Sequence, residues 1–132
     1  MNAGRVTLTI PQTPPSANKW LSSHWRVRYR EKAEWENMLT VELRKWGMPK
    51  CDRVEASLYI RFSDRRKRDT DNHVATLSKC LGDALRPDFI PDDDSSRFQV
   101  IHGQISSEVG PKETIVILDW FRGAVEPEEL VA

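Results

Sequence analysis

Residues 54–85 read VEASLYIRFSDRRKRDTDNHVATLSKCLGDAL, and this stretch decides the fold. In its first part Val54, Ala56, Leu58, Ile60 and Phe62 alternate with Glu55, Ser57, Tyr59 and Arg61. A period of two places the apolar set on one face of a strand. In its last part the period changes. From about Asp71 to Leu85, the residues Val74, Leu77, Leu81, Ala84 and Leu85 cluster on one side of a helix turning about 100° per residue. Asn72, Thr76, Lys79 and Asp83 fall in a stripe about 60° wide on the other side, which reads as a solvated face. A strand that feeds directly into an amphipathic helix requires a helix layer packed on a sheet.

Upstream, Val6, Leu8 and Ile10 alternate with Thr7 and Thr9 in a strand ended by Pro11, and the run to Asn18, with Pro14 and Pro15 adjacent, reads as an irregular loop. Trp35, Met38, Leu39, Leu43 and Trp46 recur at helical spacing from about Arg28, with Gly47 and Pro49 as the stop. Downstream, residues 98–105 and 113–121 read as two strands joined as a hairpin near Gly110 and Pro111. The order β-α-β-α-β-β predicts a single α+β domain, a mixed β-sheet with two packed helices, over residues 1–125. Residues 126–132 read as a frayed acidic tail.

The 132 residues suit one core, with 39% apolar residues to build it. A mean hydropathy of −0.59 and 30% charged residues argue against a membrane protein, and MNAGRVTLTI lacks a secretory apolar stretch, so a cytoplasmic location is expected. Cys51 and Cys80 have no metal-ligand spacing and read as free thiols. His24, His73 and His102 are too scattered for a triad or zinc site, and Trp20, Trp25, Trp35 and Trp46 read as core or loop-packing residues. With no glycine-rich phosphate loop, no nucleotide cofactor is expected. Lys plus Arg and Asp plus Glu balance at 20 each, yet residues 1–86 carry 17 basic against 10 acidic residues. The neutral sum hides a basic body, as expected for a partner rich in phosphate.

The chemistry is concentrated in DRRKRDTDN, Asp64 to Asn72. Arg65, Arg66, Lys67 and Arg68 lead straight into Asp69 and Asp71. If the strand continues through them, both carboxylates share one face and can meet one divalent cation, for which hard oxygen ligands select Mg²⁺ or Mn²⁺. Asp92, Asp93 and Asp94 precede the next strand, and a sheet is one way to bring them alongside. Carboxylate-held metal with cations for phosphate is what phosphodiester hydrolysis needs. The same string also serves as a solvated turn with local ion pairs, and PDDDSS as ordinary loop and cap chemistry.

Taken in order, these pieces resemble the RusA family of Holliday-junction resolvases: IPQTPPSANKW resembles the family's strand and Pro-Pro-Ser-x-Asn loop, RRKRDTDN its basic run and Asp-x-Asp-Asn core. Lys79 with DAL from Asp83 resembles the family's lysine four residues before Asp-Ala-Leu, and PDDD its double aspartate before a strand. The resemblance implies a RusA-like fold and a metal-dependent, structure-selective endonuclease. Such an enzyme works as a homodimer, resolving a four-way DNA junction by paired nicks that leave 5′ phosphates, in recombination and repair. It assigns Asp69, Asp71 and one of Asp93 or Asp94 to metal binding and catalysis, Lys79 to transition-state charge, and Arg65, Arg66, Lys67, Arg68 and Asn72 to DNA. Arg26, Arg28 and Arg30 are further phosphate contacts. Ungapped counting from Asp83 selects Asp94, and a one-residue slip selects Asp93. The interval from Asn72 to Lys79 is about one helical turn longer than in the best-known member, which keeps the lysine on the same face. A metal nuclease acting on other branched DNA or RNA, and a non-catalytic DNA-binding module, are the alternatives that the same residues allow.

Overall fold

A computed structural model describes residues 2–123, so the acidic tail at 126–132 lies outside the described residues. The strands β1 (Ala3–Ile10), β2 (Arg53–Arg61), β3 (Phe98–Ile105) and β4 (Glu113–Phe121) form one mixed sheet in the order β1-β4-β2-β3. Three helices, α1 (Ala17–Ser22), α2 (Trp25–Lys45) and α3 (Thr70–Leu85), complete it. The fold is α+β, a single small domain.

The two-residue period is realised across β1, β4 and β2. Leu8, Leu58 and Val116 are each fully buried, and Val116 lies opposite both of the others in register. The opposite sheet face carries charge pairs, Arg5 with Asp119 at 2.7 Å and Arg53 with Glu55 at 2.6 Å. Trp35, Leu39 and Leu43 of α2, and Leu77, Leu81 and Leu85 of α3, close the core from one side. Gly47 ends α2 at φ +69, where the Met48 N–H reaches the Leu43 carbonyl at 2.9 Å and the Gly47 N–H the Arg44 carbonyl at 3.1 Å. This backbone requires a left-handed residue, which explains the glycine stop.

Three expectations need correction. The described residues hold three helices, not two: Ser16 caps α1 by accepting from the Lys19 N–H at 3.1 Å, so the loop after Pro15 yields to a short helix, and α2 begins at Trp25. β3 and β4 do not form a hairpin. β4 lies between β1 and β2, antiparallel to both, and β3 pairs parallel with β2 at the edge. Burial explains the exchange: Thr114, Val116, Leu118 and Trp120 of β4 are all buried and need a neighbour on each side, whereas Phe98, Val100 and Ile105 of β3 are only partly covered. Finally, Trp20 and Trp35 are buried as expected, but Trp25 and Trp46 are exposed.

Candidate functional site

β2 ends at Arg61, so Asp69 and Asp71 do not continue the strand. Asp69 is the N-cap of α3, and its Oδ1 accepts the Asp71 N–H at 3.0 Å. Asp71 lies in the first turn, where the helix dipole favours a negative charge. Both carboxylates are exposed, and among the described residues neither forms an ion pair, although four cations precede them.

The reason is local. Asp64 accepts the Arg66 N–H at 3.0 Å and pairs with Arg68 at 2.8 Å, and these bonds hold its carboxyl below the usual carboxylate range. The Arg68 guanidinium also stacks on Phe62 at 3.7 Å, while His73 meets the same ring edge-on at 5.0 Å. Arg68 is therefore a structural clamp. Arg65, Arg66 and Lys67 stay exposed without ion-pair partners among the described residues.

Next to this turn lies a cleft of about 550 Å³ between the Pro14–Pro15 loop, α2 and the segment after β2. Lys19, Arg66, Arg68 and Lys112 contribute positive charge to its lining, and Glu31, Glu34 and Asp64 negative charge. His73 Nδ1 lies 2.9 Å from the Pro14 carbonyl oxygen, and the Thr76 hydroxyl donates to the Pro15 carbonyl. The double-proline loop is thus fastened to the first turns of α3.

The structure overturns the solvated reading for two of the four residues of the polar stripe, Thr76 and Asp83. Thr76 is buried, and Asp83 is 12% exposed, paired with Lys32 of α2 at 2.7 Å and with Arg86 at 3.4 Å. Burial opposes ionisation of Asp83, but its bond to Lys32 and the charges of Lys32, Lys79 and Arg86 outweigh it, and its pKa is lowered. Lys79, 62% exposed, sits 3.7 Å from Asp83. It stands eight residues after Asp71, a rise of about 12 Å, with its ammonium turned toward the far end of the helix. Asn72 stays beside the carboxylates in the first turns of α3.

The acidic triplet lies at the other end of α3. A Cβ built on Gly82 would come within 3.0 Å of Asp93 Oδ2, which places Asp93 about 16 Å along the axis from Asp71. Asp93 also faces Arg86 at 3.5 Å. Asp94 accepts from the Ser96 hydroxyl and, at 2.9 Å, the Ser96 N–H, bonds that lower its pKa. Within one chain, therefore, Asp69 and Asp71 come together, and Asp93 and Asp94 do not join them. Among the described residues no three His, Cys, Asp or Glu side chains group around a common point. Cys51 and Cys80 are free and buried, and desolvation pushes the Cys80 thiol up to about 12.

Sequence reasoning missed Lys19, Lys112, Glu31 and Glu34 of the cleft, together with Lys32. They come from separate segments with no shared spacing; only the helical stripe ending at Asp83 hinted that α3 meets a polar partner. Among the described residues no helix is long and apolar enough to cross a membrane. Compared with known proteins, the chain matches no protein family and no curated relative.

Proposed function

We propose that the protein is a metal-dependent, structure-selective DNA endonuclease that resolves four-way junctions by paired nicks. The observation that carries the reading is the pair of exposed carboxylates, Asp69 and Asp71, which among the described residues form no ion pair, and the three cations before them, Arg65, Arg66 and Lys67, which form none either. Exposed charges that make no ion pair of their own are open to a partner from outside the chain. A divalent cation for the acids and phosphates for the bases would supply one to each set.

The donor set fits Mg²⁺ or Mn²⁺, which are commonly held by one or two carboxylates with water and substrate phosphate completing the shell. When bound, such an ion polarises a phosphoryl oxygen and lowers the pKa of a water. Asp69 and Asp71 would hold it at the start of α3. Arg65, Arg66 and Lys67 would hold the strand's phosphates in register, and Asn72 offers an amide to the same backbone. Asp93 and Asp94 have a place in this reading only if a second chain or the bound DNA brings them near. A junction presents two-fold related strands, which a homodimer matches.

Purified protein with magnesium tests this on junction, flap, duplex and single-stranded DNA. The expected result is paired nicks in the junction bearing 5′ phosphates, lost in Asp71→Asn while junction binding persists, because removing a negative charge near phosphate costs no affinity. Near-normal cutting by Asp71→Asn, or no nicking of any substrate, would sink the proposed site. Preference for a flap or RNA would select the other-nuclease alternative.

A further inference from the structure

We infer that the exposed N-terminal end of α2 at Trp25 and Tyr29 is a stacking platform for unpaired bases, so that the substrate is recognised through single-stranded nucleotides as well as duplex arms. The inference rests on the nuclease reading for its partner, nucleic acid, and on the surface itself for its chemistry. Leu21, Trp25 and Tyr29 are 77%, 58% and 72% exposed, three large apolar side chains held in solvent around the junction of α1 and α2. Trp25 and Tyr29 are four residues apart on one helix and project from the same side. Large aromatics held out in water mark a surface that meets a partner.

The charge around them says which partner. Arg26 and Arg30 are also exposed, also four residues apart, and neither forms an ion pair among the described residues. The Arg26 guanidinium lies 5.3 Å from the centre of the Trp25 ring. From Trp25 to Arg30 the helix has no acidic residue and three arginines. A wholly apolar protein patch would leave this charge uncompensated, whereas single-stranded nucleic acid supplies π-faces and phosphates at alternating positions. Double-stranded DNA hides the base faces, so the rings contribute where strands separate, as at a branch point.

The test uses oligothymidylate and the matching duplex, without magnesium, with affinity read by fluorescence anisotropy. Trp25→Ala and Tyr29→Ala are each expected to weaken oligothymidylate binding by about tenfold, with little change for the duplex, and Trp25→Phe to retain most of the affinity. Arg26→Ala should instead lower the salt slope for oligothymidylate by about 0.7. Both positions are exposed, so the variants should keep the wild-type thermal midpoint. Unchanged oligothymidylate affinity in both aromatic variants overturns the inference, and does so alone if junction binding and nicking persist. If the same variants alter only the oligomeric mass, the face is a protein interface and the inference is again overturned. A wild-type chain that binds no DNA of any form removes the nuclease reading along with it.

Discussion

At the scale of single residues, Asp69 caps α3, and the proposed site would give it a second duty, metal binding, that chemistry can separate from the first. As the α3 N-cap it needs only a side-chain oxygen, which Asn supplies nearly as well, whereas a metal ligand needs the charge. Asp69→Asn should therefore keep the wild-type urea midpoint and lose magnesium-dependent cutting; Asp69→Ala should lose cutting and about 1 kcal/mol of stability as well. Full activity in Asp69→Asn would leave the residue as a cap alone. Lys79 and Asp83 differ in the opposite sense. The lysine is mostly exposed, and its order before an aspartate is the less favourable one on a helix, so Lys79→Ala should change stability by a few tenths of a kcal/mol. Because its ammonium faces Asp83, the single-turnover rate should also stay near wild type. A loss of tenfold or more would restore the charge-stabilising role that the resemblance implies. Asp83→Asn, which strips Lys32 of a nearly buried partner, should cost about 1–3 kcal/mol in the same denaturation series.

At the scale of elements, the turn between β2 and α3 sorts its four cations into two kinds. Arg68 is 15% exposed and held by Asp64 and Phe62, so its replacement should loosen the turn, while Arg66 and Lys67 point to solvent. Replacing both of the latter with Ala should weaken junction binding and reduce the dependence of log affinity on log salt by about 0.9 for each phosphate no longer held; an unchanged slope would mark them as solvated. The alternating pattern of β2 and the helical period of α2 and α3 were legible in the sequence because each depends on local side-chain spacing. Sheet order was not. FQVIHGQI and ETIVILDWF both read as strands, and the Gly110–Pro111 signal fixes a turn without saying which strands flank it. The long-range match of apolar β4 to the centre decided that, through burial that no local pattern encodes. The candidate site was legible in the same partial way: Asp69 and Asp71 are close in the chain and stay together, whereas the place of Asp93 depends on α3, which carries the chain away from them.

At the scale of the whole molecule, the edge strand β3 bears on how two copies would meet. Among the described residues it has a neighbour on one side only, and Phe98–Ile105 contains no Asp, Glu, Lys or Arg and no proline, two of the usual protections of a free edge. The register shift at Ala56 and Ser57 of β2 leaves Ile101 of β3 unpaired. This irregularity reverses the alternation, so Phe98, Val100, Gly103 and Ile105 all face α3. An antiparallel pairing of β3 with its own copy, centred between Ile101 and His102, would then set Phe98 against Ile105 and Val100 against Gly103. Each buried-side residue meets a buried-side residue, so the strand is complementary to itself, as a two-fold interface requires. Ile101, 55% exposed on the opposite side, is the place to test this without disturbing the core. In Ile101→Lys two like charges would stand near the two-fold axis, so a wild-type dimer should become a monomer by sedimentation at micromolar concentration while its fold is retained. The two nicks of a junction would then become independent events, seen as accumulation of singly nicked intermediate in a supercoiled cruciform plasmid. A wild-type monomer, or an Ile101→Lys protein that remains dimeric, would exclude β3 as the contact.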